Sequence, residues 1–161
     1  MSQTHLETPE DLLRFQLRTA MTMEEDSLAA LGELAEAAKS ADIKKLFTHH
    51  AEETHEQIAN LQQVFRLLEV PESTAASPST KGIGKQAEAL IARTAPELRD
   101  QVTLSAALGN EHYEMAAYEA LILPVQVLGA TDALALLKAN AEQEIHTSQE
   151  LSNRLKQLLG A

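Results

Sequence analysis

Cysteine and tryptophan are absent from this 161-residue sequence, and aromatic residues make up only 3% of it. Without cysteine the chain has no disulfide, no thiolate nucleophile, no iron-sulfur cluster and no cysteine-ligated zinc. With 6 glycines and 5 prolines it is also poor in the turn residues that an all-β sandwich needs. The 44% of apolar residues must therefore build a core of leucine, alanine, isoleucine and valine, which favours packed helices.

Basic residues are scarce as well, since 13 Lys and Arg stand against 24 Asp and Glu, giving a formal charge of -11. No basic stripe is left to neutralise phosphates, so we expect no nucleic-acid partner, whereas cations remain candidates. No apolar run reaches the roughly 18 residues of a membrane helix, and the first residues lack the pattern of a signal peptide. We therefore expect a single cytoplasmic domain over residues 1–161, without a membrane partner.

Four long segments show helical periodicity, and a shorter one lies between the second and the third. The long helices are expected at about residues 9–39, 42–69, 96–128 and 131–159, and the short helix at about 86–93. Thr8 and Thr131 are suitable N-caps for the first and the last of them. Residues 72–85 are small, polar and interrupted by proline and glycine, which is typical of a crossover loop. The sequence thus predicts an all-α, ferritin-like four-helix bundle whose long crossover contains a short extra helix.

In three of the four long helices, a glutamate interrupts the apolar seam, which repeats at spacings of three and four residues. Glu24 lies in the seam of the first helix, Glu111 in that of the third and Glu144 in that of the fourth. An isolated ionised carboxylate is too unfavourable in a core to persist without a partner, and few lysines or arginines lie in the same rows. The pattern therefore indicates a bound cation. Glu114, one turn beyond Glu111, is a further candidate ligand.

The second helix offers two pairs of a glutamate and a histidine at the i, i+3 spacing, which lets both side chains reach one ion. Glu52 with His55 has the familiar E-x-x-H order, whereas His50 with Glu53 reverses it. The row through His50 and Glu53 continues through apolar residues, and the other row continues through polar ones. We therefore expect His50 and Glu53 to face the seam, with Glu52 and His55 as the alternative.

Oxygen-rich sites with one or two histidines suit iron or manganese, and inward glutamates in a helical bundle are typical of di-iron proteins. We expect two metal ions, iron in first place with manganese or zinc as alternatives, and six ligands: Glu24, His50, Glu53, Glu111, Glu114 and Glu144. Thr147 and Ser148 stand where a second histidine would follow Glu144, so this site is poor in nitrogen ligands. No catalytic residue is expected beyond the metal ligands.

Several segments of the chain resemble the YciF/YciE family of stress proteins, and the resemblance covers nearly the whole sequence. It is carried by Glu111-His112-Tyr113-Glu114 with Tyr118, His50-Ala51-Glu52-Glu53-Thr54-His55 with Gln57, and Gln126-Val127-Leu128-Gly129. The resemblance implies a ferritin-like bundle, association with bacterial stress, dimerisation and a metal site, but no established reaction. The chain departs from the family at Ser148, where an acidic residue is expected, and at Ser27, where an apolar one is expected.

The third long helix carries a second apolar row between Val102 and Val127. Its members include the small residues Ala106, Gly109, Ala116 and Ala120. A helix that is apolar on two faces must be covered on both, either by the short crossover helix or by a second subunit. Because small residues let helices approach closely, we expect a homodimer packed through residues 96–128.

Two functional hypotheses follow from these patterns. The first is a di-iron or mixed di-metal protein that reacts bound Fe(II) with dioxygen or hydrogen peroxide, as a ferroxidase or a peroxide-consuming enzyme. The second is a metal-free acidic bundle that acts as a structural or protein-interaction module. They differ in the role of the buried glutamates. In the first hypothesis each glutamate is a metal ligand, and in the second it is a buried acid without an opposite charge.

Overall fold

The computed structural model describes residues 5–161, in which all regular secondary structure is helical. The α-helices are α1 (Pro9–Ala37), α2 (Ala41–Leu67), α3 (Pro78–Ala92), α4 (Arg99–Leu128) and α5 (Thr131–Leu159). The hairpin of α1 and α2 packs on the hairpin of α4 and α5 through the pairs α1 with α4 and α2 with α5. A long crossover joins the two hairpins, so the predicted all-α, ferritin-like bundle is confirmed.

Within the described range, none of the helices is both long and apolar enough to cross a membrane.

The helix ends show where local sequence sets a boundary and where it does not. The Thr8 side chain accepts from the Asp11 backbone N–H, and the Asp11 carboxylate accepts from the Thr8 N–H, both at 3.1 Å. This reciprocal cap satisfies two free amides of α1 and confirms the predicted cap. The predicted cap at Thr131 is wrong, because Ala130 is the N-cap and Thr131 is already helical. Gly129 ends α4 in the left-handed region at φ 69°, and only Gly129 and Ala130 separate α4 from α5.

The crossover is more helical than predicted, since α3 begins at Pro78 rather than at residue 86. Proline is favoured in the first helical turn, so Pro78 starts this helix instead of breaking it. Asp26 of α1 holds the start of α3, accepting from Thr80 Oγ1 at 2.8 Å and from Lys81 Nζ at 3.0 Å. These contacts offset the low helix propensity of the two glycines inside α3.

The other helix boundaries lie closer to their predicted positions than the start of α3 does. α1 and α2 end at Ala37 and Leu67, two residues before the predicted ends. A 3-10 turn occupies Pro96–Leu98, so α4 begins at Arg99 rather than at the proline. Frayed ends of this kind are difficult to place because the last turn of a helix lacks part of its hydrogen bonding.

Two apolar clusters form the core, and a polar layer separates them. The first lies towards the α4–α5 turn and includes Leu17, Leu61, Leu121 and Leu137. The second lies towards the α1–α2 turn and includes Leu34, Phe47, Leu104 and Leu151. On α1 the buried residues between the two clusters are Glu24 and Ser27. The polar layer therefore lies inside the bundle, between two water-excluding ends.

The outward face of α4 is apolar and largely uncovered. Leu123 is 58% exposed and Val127 88% exposed, while Gly109, Ala116 and Ala120 are also exposed. Among the described residues, α3 packs against the first half of α4, where Ile83 and Ala87 line a cleft with Ala106 and Gly109. The crossover helix thus covers the beginning of the second apolar row and leaves the rest open.

Candidate metal centre

Three predicted ligands from three helices converge in the polar layer. Glu24 of α1, Glu114 of α4 and Glu144 of α5 each present a carboxylate oxygen, and these oxygens lie within 4.8 Å of one another. Their exposed fractions are 0%, 1% and 3%. Carboxylate oxygens at such separations, from several helices, are the donors that a divalent cation uses in a bundle.

Glu111 adjoins this group and is 3% exposed. Its carboxyl lies next to that of Glu144, so each shifts the pKa of the other, and a proton on one of the two can be shared with its neighbour because an ionised carboxylate accepts. We refer to Glu24, Glu111, Glu114 and Glu144 as the carboxylate cluster. It brings together four of the six predicted ligands.

Each carboxyl of the cluster has one oxygen without a hydrogen-bond partner among residues 5–161. These oxygens are Glu24 Oε2, Glu111 Oε2, Glu114 Oε1 and Glu144 Oε1. Unpaired buried carboxylate oxygens are strongly unfavourable. The neighbouring charges that shift the pKa values of Glu111, Glu114 and Glu144 are all acidic, so among the described residues no side-chain cation compensates them. This donor set fits a bound divalent cation.

Burial raises the pKa of every member of the carboxylate cluster. Desolvation raises the pKa of Glu24 to about 7, and desolvation together with the charge of Glu114 raises that of Glu111 to about 8. The pKa of Glu144 rises to about 12 through desolvation and the adjacent Glu111. Desolvation also raises the pKa of Glu114 well above its usual value. Without a cation, the cluster therefore retains protons at neutral pH.

Tyr118 and Asn140 fix the orientation of Glu24. The Tyr118 hydroxyl donates to Glu24 Oε1 and accepts from Asn140 Nδ2 at 3.0 Å. Asn140 Nδ2 also donates to the Gln57 carbonyl at 3.1 Å, and Asn140 Oδ1 accepts from Asn60 Nδ2 at 2.8 Å. This network occupies Oε1 of Glu24 and leaves Oε2 for a cation.

Polar residues also support Glu114, on the α1–α4 side of the cluster. Ser27 and Asn110 lie beside the Glu114 carboxyl and counteract part of the rise in its pKa, and Asn110 Nδ2 donates to Ser27 Oγ at 3.1 Å. Ser27 is the position where the resemblance implied an apolar residue. The structure gives this departure a reason, because the hydroxyl lies beside a buried carboxyl and accepts from Asn110.

His50 and Glu53 lie beside the carboxylate cluster rather than within its group of closest oxygens. His50 is 3% exposed, and its Nδ1 lies 2.9 Å from Glu53 Oε2. The charge of Glu53 raises the pKa of two cluster members, so this carboxylate is close to them. Glu52 is 75% exposed and His55 is exposed as well. The His50 and Glu53 side of α2 therefore faces the bundle interior, and the alternative pair faces solvent.

The supporting network was not identified from the sequence. Neither Asn140 nor the contact of Tyr118 with Glu24 is predicted by the sequence patterns. The available signal was that Asn140 precedes Glu144 by four residues, which places both on one face of α5. A polar residue one turn from a buried acid is a natural candidate for its support.

Comparisons with known proteins give consistent matches. The family described as "Domain of unknown function (DUF892)" matches residues 8–161. The protein YciF of Escherichia coli strain K12 is 31% identical over 153 residues, which cover 92% of this chain and 91% of YciF. The crystal structure of the E. coli stress protein YciF matches with a TM-score of 0.91 at 29% identity, covering 96% of this chain and 99% of that one. YcfI from Rhodopseudomonas palustris, provisionally described as a structural protein, matches with a TM-score of 0.90 at 31% identity over 94% and 98% of the two chains.

Proposed function

This chain belongs to the DUF892 family, and from that premise we propose that it is a di-metal protein of the ferritin-like type that binds iron in the carboxylate cluster. The observation that carries the proposal is the set of four buried carboxyls, each with an oxygen that lacks a partner among the described residues. Manganese and zinc are the alternative metals. The relative YciF is described as a stress protein, which supports a role in stress for this chain.

The proposed ligand set assigns a part to each of the six predicted residues. Glu24, Glu114 and Glu144 hold one ion, since their oxygens are mutually close. Glu111 and Glu53 flank Glu144 and supply the donors of a second ion. His50 contributes through its hydrogen bond to Glu53, which holds that carboxylate in place.

Bound iron supplies the capacity to reduce dioxygen or hydrogen peroxide by one electron per Fe(II). The residues of the chain bind and orient the ions and exclude water. The apolar clusters on both sides limit solvent access, and Tyr118 and Asn140 keep Glu24 in one orientation. A cytoplasmic location remains a prediction from the sequence.

The pair of residues that α2 contributes is testable by two matched double variants. We expect His50→Ala with Glu53→Ala to lower iron or zinc affinity by about 10 to 100-fold, because even residues that only orient ligands have effects of this size. Glu52→Ala with His55→Ala is the control, and it is expected to be near neutral, within about 0.5 kcal/mol, as for other surface substitutions, so its metal affinity stays close to that of the wild type. Titration calorimetry measures the affinities. A loss of affinity confined to the Glu52 and His55 variant would mean that α2 binds through its other face.

We also propose that the protein forms a homodimer through the outward face of α4, within residues 96–128. The support is the exposed apolar surface of Leu123 and Val127. Changing both residues to glutamate introduces charges that are unfavourable in an apolar interface, so the dimer dissociation constant is expected to rise by at least about tenfold. Sedimentation velocity measures it. Leu67→Glu, which is 46% exposed on α2, is the control and is expected to leave the dimer unchanged. A wild-type protein that sediments as a monomer would contradict the proposal.

A further inference from the structure

A narrow cleft between α1, α3 and α4 reaches the carboxylate cluster. Ala107 and Glu111 of α4 line it on one side, and Thr80 and Gly84 of α3 line it on another. We call this space the inner cleft. Its volume of about 20 Å³ leaves room for about one water molecule, so a hydrated divalent cation does not fit. A cation that takes this route to Glu111 therefore requires α3 to move.

The sequence of α3 stabilises this helix only weakly. Among residues 5–161, the side chain of its N-cap Ser77 makes no capping hydrogen bond, and α3 has no acidic residue in its first turn and no basic residue in its last. Gly82 and Gly84 lower its helix propensity further. Thr80 is the one buried residue within α3. We therefore expect α3 to unwind more readily than the four long helices.

Polar contacts hold α3 over the inner cleft near the start of the helix. Asp26 of α1 accepts from Thr80 Oγ1 at 2.8 Å and from Lys81 Nζ at 3.0 Å. The segment before α3 is attached to α1 separately, because Thr22 Oγ1 donates to the Ala75 carbonyl at 2.6 Å. Unwinding from the start of α3 therefore releases Asp26 and opens the inner cleft, while the chain before the helix stays in place.

The same movement changes the charge beside the inner cleft. Asp26 lines the cleft, and in the closed state its carboxylate is paired with the Lys81 ammonium, which is 65% exposed. When the start of α3 unwinds, the ammonium leaves and the carboxylate stays on α1. An ion pair is thereby replaced by a negative charge, which attracts a cation to the opened cleft.

We propose that α3 is a lid over the inner cleft, and that a divalent cation enters the carboxylate cluster when α3 unwinds from its start. The entry of a cation rests on the proposed function, whereas the lid does not. The two parts are tested separately, because the opening of α3 is measurable with no metal present.

A single introduced cysteine measures the opening, because the chain contains no cysteine of its own. Ala107→Cys places a thiol in the inner cleft at a position that is 2% exposed. Gly82→Ala with Gly84→Ala favours the helical state of α3, and the added methyl groups meet no neighbouring atom within 4 Å among the described residues. In the metal-free protein, this pair is expected to slow the reaction of the thiol with iodoacetamide by at least about fivefold. Gly32→Ala, the same change at an exposed position of α1, is the control and leaves the rate unchanged.

Weakening the contacts of Asp26 is expected to have the opposite effect. Thr80→Val with Lys81→Gln removes both donors, so the thiol is expected to react at least about threefold faster. Lys85→Gln removes the same charge from an exposed position of α3 and is the control. A thiol introduced by Ser148→Cys, buried on α5 outside the inner cleft, is expected to respond to neither set of variants. A reaction rate in the inner cleft that neither set changes would overturn the lid.

Entry of the cation is measured by stopped-flow mixing of Zn²⁺ with the metal-free protein that carries no introduced cysteine. In a protein that binds Zn²⁺ at equilibrium, Gly82→Ala with Gly84→Ala is expected to slow loading by at least about fivefold with unchanged final occupancy. Thr80→Val with Lys81→Gln is expected to accelerate it. Equal loading rates in these variants and the wild type, with binding intact, would overturn entry beneath α3. A wild type that binds no Zn²⁺ or iron would contradict the proposed function and the entry of a cation, while the thiol reaction still decides the lid.

Discussion

Replacing Glu144 by alanine is expected to abolish the rise in melting temperature that metal produces in the wild type. At a free metal concentration 100 times Kd, binding stabilises the native state by about 2.7 kcal/mol. For a domain of this size that is a rise of roughly 5 to 11 °C. The variant loses a ligand of the group formed with Glu24 and Glu114, so this rise disappears. Differential scanning calorimetry with and without iron or zinc measures it.

The metal-free form of the same variant distinguishes the two functional hypotheses. Removing a buried carboxyl with an unpartnered oxygen relieves its desolvation, so the metal-free melting temperature is expected to stay level or increase. Glu142→Ala, on the exposed side of α5, is the control and retains the full response to metal. A wild type that contains no metal and shows no response to it would instead support the metal-free structural module.

The metal-free protein is expected to lose stability as the pH rises from about 5 to about 8. A carboxyl whose pKa is higher in the folded than in the unfolded chain stabilises the fold when protonated, and this contribution disappears as the pH rises. It is fully present below the unfolded value of 4.5 and is lost through about 7 for Glu24 and about 8 for Glu111. Thermal melts across this pH range in the presence of a chelator measure the trend. The variant Glu111→Gln, which cannot ionise, is expected to show a weaker pH dependence.

The stabilisation that metal provides is expected to increase over the same pH range. Metal displaces the protons of its ligands, so the increase in melting temperature on adding metal grows with pH. A metal-free melting temperature that rises between about pH 5 and about pH 8 would contradict the protonated state assigned to the carboxylate cluster.

The bundle could be predicted from the sequence because its main determinants are local. The seam of α1 from Leu13 to Leu34 repeats at helical spacing, and all its predicted members are buried. Gly129 separates α4 from α5 through a backbone conformation that glycine favours. The extent of α3 could not be predicted, because it depends on Asp26, which is distant in sequence from the helix that it holds.

The candidate site was predictable to the extent that single helices reveal which side faces inward. Glu24, Glu111 and Glu144 are recognisable because each interrupts an apolar row, and the neighbouring rows of α2 gave its orientation. The hydrogen bond from Tyr118 to Glu24 could not be predicted, since it depends on how α1 and α4 are aligned along their axes.

The polar layer between the two apolar clusters affects the cooperativity with which the bundle unfolds. Each end of the bundle has its own apolar cluster, and Glu24, Glu111 and Glu144 lie between them. In the metal-free chain we expect this junction to be the weakest part of the core, and each end to form a separate unit for local opening and amide exchange. An ion held by residues from α1, α4 and α5 would couple those units, and the bundle would then open only as a whole.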